Sequence, residues 1–177
     1  MVEKITRAAL LGAGSAVALV GFGLMTRLVE AATGADADDI ATLNAAIELE
    51  RAGIDAYRKA EATNLLGYPA LAIARRIAAD HTAHRDALIA AVRAAGATPS
   101  ERMANLSYPP LESELSILRF AQTVEEKAAS TYLSVIPEFS NRKLSAAAAS
   151  ILGVETIHVS MLAAAQGRTA YPSGFVG

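Results

Sequence analysis

The chain has 177 residues and a formal net charge of −2 at pH 7; 53% of its side chains are hydrophobic, 5% aromatic, and none is cysteine or tryptophan. The missing thiols exclude disulfides, zinc–thiolate sites, iron–sulfur clusters and cysteine nucleophiles, and the near-neutral charge without a basic stripe argues against a nucleic-acid partner. An alanine-rich, tryptophan-free chain of this length favours one domain of closely packed helices plus an appendage.

Residues 1–35 are the appendage. Lys4 and Arg7 precede an uncharged apolar run from Ala8 to Met25. As a helix these residues rise about 27 Å, close to the roughly 30 Å of a hydrocarbon core. Three fates suit the segment: a retained membrane anchor, a signal cleaved at the small residues around Ala31, or a buried soluble helix. Basic residues ahead of the run predict that this end stays inside, with the domain on the periplasmic or extracytoplasmic face. Thr6-Arg7-Ala8-Ala9-Leu10-Leu11-Gly12 also resembles a twin-arginine export signal, with one of the two arginines present. The membrane is thus the first expected partner, and a membrane protein complex or a second copy of the chain the next.

Residues 36–167 predict four helices. Asp36, Asp38 or Asp39 can cap the first, which runs to about Ala62 with Leu43, Ile47, Glu50, Ile54 and Tyr57 near one face. Asn64 to Gly67 reads as a turn, and Pro69 fits the first turn of the second helix. That helix lines up Ala70, Ala74, Ile77, His81, His84, Leu88 and Ala91, and Gly96 ends it. Gly96 to Pro110 holds Pro99, Pro109 and Pro110 without helical period, so it is expected to cross along the outside. The third helix spans Leu111 to Ile136 and stops at Pro137; the fourth starts near Ser140 or Asn141 and ends before Gly167. Residues 168–177 read as an irregular tail.

The fourth helix carries a seam of Leu144, Ala148, Ile151, Glu155, His158 and Leu162, spaced for bundle packing. Glu155 and His158, three residues apart, share its face. An unpaired carboxylate and imidazole there would cost several kcal/mol, and a bound metal is one remedy. The second helix repeats the frame, with His84 matching His158 and Leu88 matching Leu162, but His81 stands where Glu155 stands. Ahead of each lies a Leu-x6-Glu-x6-Tyr unit: Leu43, Glu50 and Tyr57, then Leu118, Glu125 and Tyr132. Glu50 to His84 is 34 residues and Glu125 to His158 is 33, so the domain reads as a duplicated helical hairpin. Glu48 and Glu126 fall outside the frame and read as solvated, as do Asp55, Asp80 and Asp86.

Glu50, His81-x-x-His84, Glu125 and Glu155-x-x-His158, in that order around a crossover, resemble the ferritin-like superfamily of di-iron carboxylate proteins. The export segment and the Leu-x6-Glu-x6-Tyr units are most similar to exported ferritin-like domains related to desiccation-associated proteins. The resemblance spans about Ile40 to Ala165. It implies an all-α four-helix bundle that binds one or two ions of iron, with manganese as the other candidate. The implied ligands are Glu50, His81, His84, Glu125, Glu155 and His158. Carboxylates with imidazoles suit iron or manganese, and the implied chemistry is that of an oxidoreductase: ferroxidase, peroxidase or oxygen activation. His81 breaks the pattern, because a neutral imidazole has one lone pair for a metal and cannot bridge as a carboxylate does. It is either a ligand or a hydrogen-bond donor behind the ligands. Tyr57 and Tyr132 are either packing aromatics or hydrogen-bond partners of the carboxylates. A structural or accessory subunit with a degenerate site is the competing expectation.

Overall fold

The computed structural model describes residues 26–170. The expected anchor at 8–25 and most of the tail lie outside the described residues. Among these, all regular structure is helical: residues 26–32, then α1 (Ala37–Ala62), α2 (Tyr68–Ala94), α3 (Glu114–Val135), a 3-10 turn (Ile136–Glu138) and α4 (Arg142–Ala165).

Local chemistry sets each boundary. Asp36, rather than Asp38 or Asp39, caps α1 by accepting from the Asp39 amide. Asp39 is buried and accepts from the Ser140 amide at 2.9 Å, tying the start of α1 to the start of α4. Helix α2 opens with proline in its first turn and gives way to Gly96 at φ +75, a left-handed conformation that glycine adopts without penalty. Helix α3 starts three residues later than Leu111, because Ser113 and Ser116 form a reciprocal capping box. Pro137 tightens the exit of α3 into the 3-10 turn, and Asn141 caps α4.

Helix α1 packs mainly on α2, and α3 mainly on α4, so the bundle is two hairpins joined by residues 95–113. That connection lies along the outside, as expected. Ala104 N–H donates to the Glu48 carbonyl, Ser100 Oγ to the Glu48 carboxylate, and Tyr108 Oη to Asp55. Leu106, Tyr108 and Leu111 pack over Ala56, Phe120 and Val124.

Two larger apolar clusters fill the bundle. One holds Ile47, Leu88, Tyr132, Leu144 and Ile151. The other holds Tyr57, Ile77, Leu118, Ala121 and Leu162. Residues 26–32 are helical and join the first cluster through Leu28, Ala31 and Ala32, while Asn141 donates to the Ala31 carbonyl. Burying even one leucine side chain contributes about 1.5–3 kcal/mol, so Leu28, Ala31 and Ala32 are part of the domain's core. Helix α4 is long and apolar enough to cross a membrane, but its Leu144, Ile151 and Leu162 are spent on the bundle interior.

Candidate metal centre

Along each helix the polar seam residues fall between positions of the two apolar clusters. Glu50 comes from α1, His81 and His84 from α2, Glu125 from α3, and Glu155 and His158 from α4. All six are buried, and all six meet. Glu50, His81, His84 and Glu155 offer ligand atoms within 4.8 Å of one another, and so do His81, Glu125, Glu155 and His158. Glu155 and His81 belong to both groups. Glu155 divides its oxygens between them, with Oε1 at 3.2 Å from His84 Nδ1 and Oε2 at 3.2 Å from His158 Nδ1.

His81 spans the two hairpins. Its Nδ1 lies 2.6 Å from Glu50 Oε2 and its Nε2 lies 3.2 Å from Glu125 Oε1. Ionised carboxylates only accept, so a ring bonded on both sides carries two N–H groups and a positive charge. The ring is seated by Gly53. A Cβ at that position would stand 3.0 Å from His81 Cε1 and Nε2 and 3.1 Å from Cδ2. Glycine inside a helix costs roughly 0.5–1 kcal/mol relative to alanine, and here it makes the space for an imidazole.

The tyrosines bond crosswise. Tyr57 Oη donates to Glu125 Oε1 at 2.7 Å, and Tyr132 Oη to Glu50 Oε1 at 2.5 Å, so each hairpin orients the other's carboxylate. Both phenols are pushed well above their usual range, first by burial and then by the adjacent carboxylate charge.

Burial favours neutral forms throughout this site, yet mutual pairing prevails. It pushes the Glu50 carboxyl up, but the hydrogen bonds and charge of His81 and His84 bring it down to about 2. Glu125 likewise ends well below the usual carboxylate range, against its burial, chiefly through the charge of His81 and the hydrogen bond from His158. His84 is lowered by burial but raised more by Glu155 and Glu50, reaching about 9. His158 reaches about 10, because Asp80, Glu125 and Glu155 outweigh its burial. His81 is also held well above the ordinary histidine range, its burial outweighed by Glu125 and Glu50.

Sequence reading placed Asp80 on the surface, and the structure corrects this. Asp80 is half-buried, bonded by Arg76 at 2.8 Å, and its Oδ2 lies 3.3 Å from His158 Nε2. His158 therefore presents Nδ1 to Glu125 and Glu155 while a carboxylate holds its far nitrogen, the usual support of a metal-binding imidazole. The signal was faint: Asp80 sits beside the seam, one residue before His81. Gly53 was equally missed, although a glycine three residues past Glu50, deep inside a helix, marks a close approach.

The donor set fits a divalent metal. His84 Nδ1 and Glu155 Oε1 are buried 3.2 Å apart, yet no hydrogen bond closes on either atom. Unsatisfied buried polar atoms are costly, and a cation between them and Glu50 would satisfy both. Glu50, Glu125 and Glu155 offer three negative charges, and Asp80 behind His158 restores the fourth. Four carboxylates balance two divalent ions.

A helical bundle with two hairpins, an outside crossover and a carboxylate–histidine centre defines a protein of the ferritin-like class. The chain belongs to that family, whose description, ferritin-like domain, matches residues 38–168. It is similar in fold to the crystal structure of a conserved hypothetical protein, rv2844, from Mycobacterium tuberculosis. That likeness has a TM-score of 0.65 at 20% identity and covers 76% of this chain and 94% of the other. No curated protein matches the chain.

Proposed function

We propose that this is an exported, membrane-tethered ferritin-like protein that binds iron or manganese within its bundle. Its activity is of the ferroxidase, peroxidase or oxygen-activating kind, exercised at an asymmetric site. The observation that carries this reading is the pair of buried ligand groups sharing Glu155 and His81, with His84 Nδ1 and Glu155 Oε1 left unbonded. Bound redox-active ions would supply electrons for reducing oxygen or peroxide. The chain's own part is to orient and to exclude water: Tyr57 and Tyr132 fix the carboxylates, and Asp80 fixes His158.

The asymmetry follows from His81. Glu155 can serve two ions with two oxygens, whereas a neutral imidazole serves one. The position made by Glu125, Glu155 and His158, backed by Asp80, fills first. The other, by Glu50 and His84, is weaker and fills when His81 turns in as a terminal ligand. Metal analysis of the purified protein is the primary test. His81→Glu should then bind a second iron and oxidise ferrous iron faster with oxygen or peroxide. Two equivalent irons with two carboxylate bridges in the native protein would refute the asymmetry.

Tethering is supported by Leu28, Ala31 and Ala32, which belong to the core. Cleavage near Ala32 would strip Leu28 and Ala31 from it, so a retained segment at 1–25 suits the domain better. The crosswise tyrosine bonds support a duplicated hairpin, and the export segment supports kinship with desiccation-associated ferritin-like domains. One observation favours a second reading, an accessory subunit of a membrane complex without metal. His81, bonded to Glu50 and Glu125, pairs two of the buried carboxylates without a metal. Absence of metal, with a melting curve indifferent to chelator, would establish that alternative.

A further inference from the structure

Helix α4 gives one face to the bundle, and its other face has no partner among the described residues. Apart from the buried Glu155 and His158, no residue from Leu144 to Ala165 is charged. The outer face carries Ala146, Ala149, Gly153, Ile157, Ser160 and Ala164; all but the partly buried Ser160 are exposed, Ile157 by 57%. The Ser160 hydroxyl donates to the Thr156 carbonyl at 3.0 Å, within its own helix. Two features of this helix find no reason within one chain. Gly153 stands at mid-helix, where glycine is destabilising, yet a Cβ there would meet nothing within 4 Å. Arg142 and Lys143 occupy the first turn, the end at which the helix dipole disfavours cations. That turn has no acidic residue, and neither cation has an ion-pair partner among the described residues.

We propose that this face is the contact surface for a second copy of the chain, with α4 lying antiparallel on its counterpart across a two-fold axis at Gly153. Counted from Arg142, the face residues are spaced 4, 3, 4, 4, 3, 4, which reads the same from either end with Gly153 at the centre. A two-fold contact requires such a self-matching surface. The pairing sets Ile157 over Ala149 of the second copy and Ser160 over Ala146, large beside small. At the axis Gly153 meets Gly153, and the backbones can approach closely because neither carries a side chain. The charges match as well. Arg142 and Lys143 come to lie at the C-terminal end of the facing helix, where the dipole favours cations. A parallel pairing would instead set Ile157 on Ile157 and Arg142 on Arg142. Lipid or an unrelated apolar helix would explain neither the symmetric spacing nor the basic end. The 24 residues of α4 offer a strip about 36 Å long and 10 Å wide on each copy. Two such strips fall below the roughly 1,200–2,000 Å² of a standard interface, so the pairing is a weak one.

The chain has no cysteine, so single introduced cysteines report the geometry directly. Full-length Ala149→Cys and Ile157→Cys proteins, mixed, concentrated in mild detergent and oxidised, should form a disulfide between the two variants. The yield should exceed several-fold that of either variant alone, because like positions lie about 12 Å apart along the pair, beyond disulfide reach. Gly153→Leu, added to both variants, should abolish the cross-link while the melting temperature stays the same or rises, since the space above Gly153 is open within the chain. Arg142→Glu with Lys143→Glu suits the helix's own dipole but should weaken the cross-link several-fold, and serves where the leucine variant does not fold. Equal yields from mixed and unmixed variants, or a preference for like positions, overturn the proposal. So does shielding of the Ile157→Cys thiol from a water-soluble maleimide in a monomer, which would put residues 8–25 or detergent on this face. None of these outcomes depends on metal or on the function proposed above.

Discussion

The metal-free site holds protons where a metal would sit, and this makes metal binding a proton exchange. His84 and His158, held at about 9 and about 10, are both protonated at pH 7. An ion that takes Nδ1 of either must displace a proton first. At pH 7 that costs about 3 kcal/mol at His84 and about 4 kcal/mol at His158, at 1.36 kcal/mol per pH unit. Each ion's affinity should therefore fall about tenfold per pH unit well below these values. Lowering pH from 8.5 to 7 should weaken binding by about 30-fold, or about 2 kcal/mol. Ordinary histidines, titrating near 6.5, would show almost no slope in that interval. Calorimetric titration with manganese in two buffers of different ionisation heat counts the protons directly. Two released on filling both positions means that His81 stays a hydrogen-bonded cation; three means that it becomes a ligand. An affinity flat between pH 7 and 8.5 would refute the paired, protonated site described here.

The same groups set the pH dependence of folding without metal. Glu50, lowered to about 2, stabilises above about pH 4.5 and loses this as pH falls through 2; His84, raised to about 9, stabilises fully below about pH 6.5 and loses this as pH rises through 9. The metal-free melting temperature should thus peak between about pH 4.5 and 6.5, and manganese should flatten the alkaline decline; a maximum above pH 8 would contradict the assignment. Asp80→Asn removes the charge behind His158 and should weaken one metal position by about 10–100-fold, read by competition with a chromophoric chelator, with the other position unaffected. Chelation should lower the melting temperature of the metal-loaded full chain, because binding to the folded state alone adds to stability. The full-length protein should remain with membranes after an alkaline wash, whereas a soluble product beginning near Ala32 would show a cleaved signal.

Seam periodicity made much of the bundle readable. Leu144, Ala148, Ile151, Glu155, His158 and Leu162 recur at bundle spacing, and every one is buried. The six candidate ligands were readable for the same reason, since polar residues at seam positions are forced together by the packing around them. Boundaries were less legible where side chains compete with the helix pattern. Ser113 and Ser116 satisfy each other's backbone and delay α3, a choice that apolar spacing does not register. Asp80 was hidden because its role depends on how α2 and α4 approach, and one helix's period carries no such information. The crosswise tyrosine bonds were hidden likewise: spacing put Tyr57 and Glu50 on one face, but Tyr57 reaches Glu125 on another helix.

His81, Gly53 and Asp80 are best understood together, as one displacement of charge. A carboxylate at position 81 would place negative charge between the two ligand groups and would need no glycine opposite. The imidazole carries the opposite charge in the metal-free state and is broader, so α1 yields a side chain at Gly53 to admit it. The lost negative charge reappears one residue earlier, at Asp80, where it contacts His158 from the far side. In the matching half of the chain the position before Glu155 is Val154, so His84 has no such carboxylate from α4. Glu155 is thus shared by both halves of the site, but only the half with His158 is backed by Asp80, while the other depends on His84, Glu50 and a histidine already engaged. Breaking a buried ion pair by removing one partner typically costs about 3–5 kcal/mol, so the His81 cation, with His84 and His158, helps this bundle stand with its metal positions unfilled. On the function proposed above, the same cation would oppose a second metal. Stability without metal and readiness to bind two ions would therefore pull against each other at one residue, and the space left at Gly53 fixes where that residue lies.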